Sequence, residues 1–435
     1  MTEIFAVTGK PILHSKSPQM HNAAFDTLGI DAVYTRLLAD NAEEALQTAK
    51  EIGITGLNVT APFKEGFAKL TDELDESANA TGMVNTILIE KEKIKGFNTD
   101  TVGIIGSFIA HDVKLEEKKV VVLGAGGAAV AAAYTLTAVD AKVTIANRTI
   151  ENAKKLAKKF NCNFCSLKFS ELEKIIPEAD IIMSTIGTTE RIIPGELLRK
   201  NTVILDANYS KKTALIEDAL TKGCKIIDGT EWLFFQGLRA FEIFTGKTAP
   251  ADIMQKAIHK KVPDKNNNIA LIGFMGSGKT SVAKEIAKKT KMNIVNVDED
   301  IEKLAGVSIK EIFEKHGEKE FRKMESEELK KIKNAKNSVI SCGGGIVLDP
   351  NNIELLQQHC TVIWLYVSAE TALRRTHGDT SRPLVNVENR EEIAKTIVKN
   401  RLSIYAKAAD LIVNTENRTA SQVAELITNE IYQTK

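Results

Sequence analysis

Val120-Val121-Val122-Leu123-Gly124-Ala125-Gly126-Gly127-Ala128 and Ile269-Ala270-Leu271-Ile272-Gly273-Phe274-Met275-Gly276-Ser277-Gly278-Lys279-Thr280 decide the fold. Each is a short apolar run, typical of a strand buried on both faces, that breaks into glycines where a helix can begin. Glycines at that point let backbone N–H groups approach phosphate oxygens at the helix N-terminus. The first loop, GxGG, has the look of a dinucleotide site, although glycine turns of this kind also have purely structural causes. The second, GxxxxGK[ST], is far more specific: its N–H groups cradle phosphates, Lys279 reaches the β and γ phosphates, and Thr280 can coordinate Mg²⁺. A chain with both loops points to redox chemistry and phosphoryl transfer.

Outward from these loops, strand-like runs alternate with helical patterns, the signature of α/β architecture. Strands are expected at Ile4–Thr8, Tyr34–Leu38, Gly56–Val59 and Thr86–Glu90, with helical stretches such as Ala42–Glu51 between them. A second series starts at Lys119, with strands near 120–123, 142–146, 180–185, 202–206 and 225–227. Helix-like sequence follows from Leu233 to Lys261. Pro263-Asp264-Lys265-Asn266-Asn267-Asn268 is polar and rich in turn residues, and reads as a linker that allows some freedom between halves. A third series has strands near 269–273, 293–297, 338–342, 361–367 and 410–413.

The chain has 435 residues, which calls for two or three domains. Its 58 basic and 57 acidic side chains nearly cancel, so charge gives no argument for nucleic acid or an anionic membrane. The start lacks a signal-peptide pattern, and the apolar segments are too short to span a bilayer. Five cysteines are an odd number for a disulfide framework. Cys162 and Cys165 form one CxxC pair with no second pair nearby. Reduced thiols in a cytoplasmic enzyme are therefore expected ahead of a zinc site.

Beyond the first loop, the strand Lys142–Ala146 runs into Asn147-Arg148-Thr149. An NAD site usually has an acid at about this distance. Arg148 suits the 2′-phosphate of NADP instead. Upstream lie His14-Ser15-Lys16-Ser17-Pro18-Gln19-Met20-His21-Asn22, Asn58-Val59-Thr60-Ala61-Pro62-Phe63-Lys64, Asn85, and Asn98-Thr99-Asp100. Singly these are cap or turn residues. As a set of short polar side chains after apolar strands they suit a small polyhydroxylated acid.

Together these motifs resemble shikimate dehydrogenase over roughly residues 1–262. The resemblance implies an N-terminal α/β substrate domain (1–100), a Rossmann domain (101–237) and a helix returning to the first domain (238–262). It implies NADPH-dependent reduction of 3-dehydroshikimate to shikimate. Ser15 and Ser17 match residues that hold the substrate carboxylate; Thr60, Lys64, Asn85 and Asp100 match those around the ring hydroxyls. Tyr209 and Gln236 match later substrate contacts. Gly124, Ala125, Gly126, Gly127, Ala128, Asn147, Arg148, Thr149 and Gly229 match cofactor contacts. Lys64 can stabilise charge on the carbonyl oxygen and supply a proton, with Asp100 holding its ammonium. The chain departs from the family pattern at Asn152, where a basic residue is common, at Trp232, where a methionine is usual, and at Lys211, where a proline often stands.

After the second loop come Asp298, Phe321-Arg322-Lys323-Met324-Glu325, Gly343-Gly344-Gly345, a basic lid-like stretch Arg375–Leu384, and Arg401 with Tyr405 on a late helix. This set resembles shikimate kinase over about residues 268–435, which implies a P-loop domain with a parallel sheet, here expected over 269–435 behind a linker at 263–268. In that reading Asp298 takes the proton of the accepting hydroxyl. Arg322 and Arg401 hold the shikimate carboxylate, with backbone contact from Gly344. Arg382 neutralises charge on the moving phosphoryl group, and Arg375 packs near adenine. Gly276, Ser277, Gly278, Lys279, Thr280 and Ser281 bind the nucleotide, with Thr280 as the Mg²⁺ ligand. The family usually has two aspartates separated by one residue here; Asp298 matches the second, and Asn296 stands at the first, whose carboxylate normally helps hold Mg²⁺.

The product of the first implied reaction is the substrate of the second. Quinate as substrate and NAD as cofactor stay open for the first half, with Ser15 and Ser17 favouring shikimate. For the second half the alternative is a nucleotide-binding sensor. Asn296 supports it; Lys279, Asp298, Arg322 and Arg382 argue against it. Oligomeric state is open.

Overall fold

The computed structural model describes residues 2–91, 93–261, 264–377 and 389–433. Its strands are β1 (Glu3–Gly9), β2 (Ala32–Leu38), β3 (Ile54–Val59), β4 (Glu73–Leu74), β5 (Thr86–Glu90), β6 (Lys93–Phe97), β7 (Lys119–Leu123), β8 (Lys142–Asn147), β9 (Asn163–Ser166), β10 (Ile181–Ser184), β11 (Val203–Asp206), β12 (Lys225–Ile227), β13 (Ile269–Ile272), β14 (Asn293–Asn296), β15 (Ser338–Ser341), β16 (Thr361–Tyr366) and β17 (Leu411–Asn414). The chain divides into two compact units. One comprises Met1–Pro18, Gly29–Thr55 and Lys260–Lys435; the other comprises Gln19–Leu28 and Gly56–His259.

In the second unit, six parallel strands run in the order β12-β11-β10-β7-β8-β9. Alternate residues of β7 point to opposite faces, as the pleat requires. Val120 and Val122 enter one core with Ala132 and Ile145, while Val121 and Leu123 enter another with Leu172 and Ile182. A sheet covered on both faces explains why β7 reads as an unbroken apolar run. The same unit contains a smaller mixed group, in which β5 is antiparallel to both β3 and β6.

In the first unit, β14-β15-β13-β16-β17 form a parallel sheet with the phosphate loop after its central strand. This sheet does not end at β17. Residues Ile412 and Val413 pair in parallel with Leu37 and Leu38 of β2, which in turn pairs with β1. Two strands that would otherwise be sheet edges, with unpaired backbone groups, cover one another.

Two expectations differ from what forms. The helical run Leu233–Lys261 is two helices, Gly229–Thr245 and Ala251–Ile258. Gly246, at φ 65°, ends the first as a left-handed cap, and Pro250 precedes the second. The polar run before β13 is not loose at its C-terminal end. Lys265 Nζ lies 2.5 Å from Asp410 Oδ2. Asn268 is buried, donates to the carbonyls of Ala335 and His359, and accepts from the Ser338 N–H.

Candidate active sites

In the unit built around β7, Gly124 leaves the strand at φ 111°, a conformation that favours glycine. Gly126 caps the helix Gly127–Thr137 and has open space where a Cβ would stand. The loop thus presents bare backbone at a helix N-terminus, a fit for a pyrophosphate. Asn147 holds its turn by donating to the Thr149 carbonyl at 2.9 Å, and Arg148, exposed, follows the end of β8. Asn152, Lys154 and Lys155 are exposed on the next helix.

Lys64 opens the helix Lys64–Leu70, and Asp100 opens the helix Asp100–Ala110. Their side chains meet at 2.5 Å, and both are largely buried. Lys64 also lies against the dinucleotide loop: a Cβ on Gly127 would be 3.5 Å from Lys64 Cδ. Asn85 is buried, with its Oδ1 accepting from the Thr99 N–H at 2.8 Å and its Nδ2 donating to Gln236 Oε1 at 2.9 Å. Thr60 sits just past β3, where its carbonyl accepts from the Phe63 N–H. Tyr209 lies in the loop after β11, and Gly229 starts its helix packed against the Asp206 and Ala207 backbone. Trp232 is buried against Gly103, while Lys211 is exposed.

Ser15 and Ser17 belong to the other unit. Both are buried, with their hydroxyls 3.3 Å apart. The Arg36 guanidinium on β2 donates to the Ser15 carbonyl through Nη2 at 2.5 Å.

In the same unit the second loop leaves β13 at Gly273, φ 143°, and enters the helix Lys279–Thr290. Lys279 Nζ donates to the carbonyls of Gly273 and Phe274. Ser277 Oγ is buried and has no hydrogen-bond partner among the described residues, as suits a group aimed at a phosphate. Ser281 is exposed on the first turn of that helix. Thr280 Oγ1 lies 3.2 Å from Ser341 Oγ, and this pair of oxygens suits a hard cation. A cleft of ≈ 300 Å³ adjoins the loop, lined among others by Thr280, Asn296, Asp298, Arg322, Gly344 and Arg401. Asp298 stands over Gly343 and the Arg322 guanidinium over Gly345, leaving neither glycine room for a side chain. Arg401 Nη1 and the Tyr405 hydroxyl both donate to the Gly344 carbonyl.

The residues expected from sequence for the kinase chemistry therefore converge, except that Arg382 lies outside the described residues, with most of the expected lid. Arg375, its first residue, ends the helix Ala369–Arg375 and donates to the carbonyls of Gly276 and Thr415. Two further side chains stand here: Glu325, which closes the quoted motif with no role assigned, and Ser341, which no motif singled out. Glu325 is buried, accepts from Arg322 at 2.8 Å and faces Asp298. Burial pushes its carboxyl up to about 6, against the opposing pull of Arg322. The signal was its spacing: three residues after Arg322 puts both on one helix face.

The folds and sites define a dinucleotide-dependent dehydrogenase joined to a P-loop kinase. Comparison with known proteins makes this particular. Family models match for the shikimate dehydrogenase substrate binding domain at residues 7–87, shikimate / quinate 5-dehydrogenase at 108–216, the shikimate 5′-dehydrogenase C-terminal domain at 229–259, and shikimate kinase at 275–432. A shikimate dehydrogenase (NADP(+)) of Pyrococcus abyssi is 38% identical over 259 residues, 58% of this chain and 96% of the relative. The crystal structure of shikimate dehydrogenase from Aquifex aeolicus matches with a TM-score of 0.56 at 35% identity, covering 60% of this chain and 98% of that one. The Thermus thermophilus enzyme in complex with NADP(H) and shikimate matches at 0.55 and 31%, covering 59% and 98%. The chain belongs to the shikimate dehydrogenase family and carries a shikimate kinase domain behind it.

Proposed function

We infer that this protein is a bifunctional shikimate-pathway enzyme, reducing 3-dehydroshikimate with NADPH and then phosphorylating shikimate with Mg·ATP. The observation that carries the reading is the presence in one chain of the Lys64–Asp100 pair beside a dinucleotide loop and the Asp298–Arg322–Arg401 cleft beside a P-loop.

NADPH supplies the hydride to the substrate carbonyl carbon. Negative charge then builds on the carbonyl oxygen, where Lys64 donates a hydrogen bond and a proton. Asp100 fixes the ammonium and accepts from a substrate hydroxyl. Asn85, itself fixed by Thr99 and Gln236, orients the ring hydroxyls, with Thr60 and Tyr209 as further contacts. Ser15 and Ser17 donate to the substrate carboxylate. Arg148 discriminates for the 2′-phosphate of NADP over NAD.

Mg·ATP supplies the phosphoryl group of the second step. Asp298 accepts the proton of the attacking hydroxyl, while Arg322 and Arg401 hold the carboxylate in bidentate fashion. Lys279, now donating to the loop carbonyls, would serve the phosphates when nucleotide binds, the backbone from Gly276 to Ser281 would cradle them, and Arg375 would pack near adenine. Thr280, with Ser341 beside it, would hold the metal, which would neutralise phosphate charge. Arg382 is assigned to charge neutralisation during transfer. Positioning and charge stabilisation are the main demands of such a step.

A cytoplasmic location fits the free thiols at Cys162, Cys165, Cys224, Cys342 and Cys360. Among the described residues no helix is long and apolar enough to cross a membrane.

The test is one reaction with 3-dehydroshikimate, NADPH and Mg·ATP, following NADPH loss and ADP release together, with shikimate alone in parallel. ADP release that requires shikimate or its prior formation is expected. NADPH loss with no shikimate-dependent ADP release would reduce the second half to a nucleotide-binding module.

A further inference from the structure

The loop that carries Ser15 and Ser17 is held from the kinase half. Ile12 and Leu13 direct their backbone N–H groups at a single oxygen, Glu430 Oε1, at 2.5 and 2.6 Å. Glu430 lies near the end of the chain's last helix, Ala420–Gln433, and is 2% exposed. Ile12 is fully buried, and its carbonyl accepts from the Ser15 N–H, so the turn into Ser15 starts at the residue Glu430 grips. From the other side, Arg36 ties the same loop to the kinase half: it donates to the Ser15 carbonyl and, through Nη1, to the Asp410 carbonyl at 3.1 Å. All these residues lie within one compact unit.

We propose that Glu430, supplied by the kinase half, is a positioning residue for the dehydrogenase reaction, setting the Ile12–Ser17 loop so that Ser15 and Ser17 meet the substrate carboxylate. The proposal rests on the reading of those serines as carboxylate donors. Hydroxyl donors must sit within about 0.5 Å of their productive place to be effective. Two N–H groups, one buried and one half-buried, that lose their acceptor seek another, and the loop moves with them. Burial holds the Glu430 carboxyl above the usual carboxylate range, against the opposing pull of the two N–H bonds, Arg36 and Lys10. The relative from Pyrococcus abyssi aligns over 96% of its length with the dehydrogenase half alone, so the chain that brings Glu430 to this loop has no counterpart in the matched region. The fused enzyme has made one half's substrate loop depend on the other half's last helix.

The experiment compares four full-length variants by separate kinetics of the two reactions. Glu430→Ala is expected to raise the KM for 3-dehydroshikimate about tenfold, the weight of one charge-assisted hydrogen bond, with a smaller change in kcat. The kinase kcat/KM for shikimate should stay within twofold of the parent. Glu430→Gln keeps an acceptor oxygen of the same reach and should restore most of the KM. Thr48→Ala removes a different contact between the same two halves, the 2.8 Å bond from Asn414 Nδ2 on β17 to Thr48 Oγ1, and should leave the KM unchanged. Ser15→Ala reports on the underlying site. If Ser15→Ala raises the KM and Glu430→Ala does not, the positioning role is wrong and the site reading stands. If neither moves the KM, the site reading itself fails and takes the proposal with it. Equal effects of Glu430→Ala and Thr48→Ala would mean general loosening and also overturn it. Should Glu430→Ala not yield folded protein, Glu430→Asp, one methylene short of the loop, carries the same expectation.

Discussion

On the proposed function, Lys64 and Asp100 carry the dehydrogenase chemistry as single side chains. Each sits in the first turn of its own helix, and folding brings ammonium and carboxylate to 2.5 Å in a largely buried place. Lys64→Ala should lower dehydrogenase kcat by about 10²–10⁴-fold, the usual range for positioned acid–base help, with little change in KM. A loss under tenfold at saturating substrate would assign the proton to another group. Glu325 acts at the kinase site in a different way. Its buried carboxyl is raised to about 6 and, when ionised, pins Arg322. If the charged form is the working form, kinase kcat/KM for shikimate should fall as pH drops through about 6. Glu325→Gln should lower the plateau and abolish that inflection; a variant that keeps the inflection would place it elsewhere. Asn296 lines the same cleft, with its amide donating to Glu299. Asn296→Asp should lower the Mg²⁺ concentration needed for half-maximal kinase rate, and an unshifted Mg²⁺ titration would count against a metal-facing role. Lys64, Asp100, Asp298 and Arg322 were legible in sequence because each stands in a motif of fixed spacing. Glu325 shares the Arg322 motif, but its role was hidden, since a glutamate on a charged helix looks solvated until burial is known.

Elements are where the reading from sequence was good at centres and poor at ends. The apolar strands β7 and β13 declare themselves because both faces are covered. Strands β6 and β9 do not: Lys93-Ile94-Lys95-Gly96-Phe97 and Asn163-Phe164-Cys165-Ser166 are short and half polar, and their pairing supplies what their composition lacks. The break in the Gly229–Ile258 region depends on Gly246 reaching a left-handed φ, which a glycine permits but does not announce. Caps are more readable. Ser308 accepts from the Glu311 N–H while the Glu311 carboxylate accepts from the Ser308 N–H, a capping box at the head of the helical segment that runs to the break at Gly317, beyond which Arg322 and Glu325 stand. Ser308→Ala should cost about 1 kcal/mol in denaturant unfolding monitored in the kinase half. A change within error would mean that packing alone sets that helix start.

At the scale of the molecule, the polar run before β13 suggests two enzymes on a string, and the unit containing the kinase sheet says otherwise. β17 adds to β2 by backbone pairing, Thr35 Oγ1 donates to the Ala409 carbonyl, and Arg418 forms ion pairs with Glu44 and Asp40. Leu411, Ile412, Leu37 and Leu38 are buried. None of this was legible, because an edge strand and an interior strand share the same apolar run, and only the fold reveals which neighbour completes it. Covalent continuity is then secondary to the sheet. A protease site inserted after the exposed Lys261 and cleaved in the purified protein should leave the two fragments together on gel filtration without denaturant. Both activities should survive the cut, including the KM for 3-dehydroshikimate, because the strand pair and the Glu430 contact do not run through the cut. Fragments that separate, each retaining its activity, would show that residues 260–268 and not the β2–β17 pair hold the halves together. Ile412→Ala, a cavity within β17 that should cost about 2–5 kcal/mol, provides the converse. If the strand pair is the bond, this variant should come apart after cleavage where the parent does not.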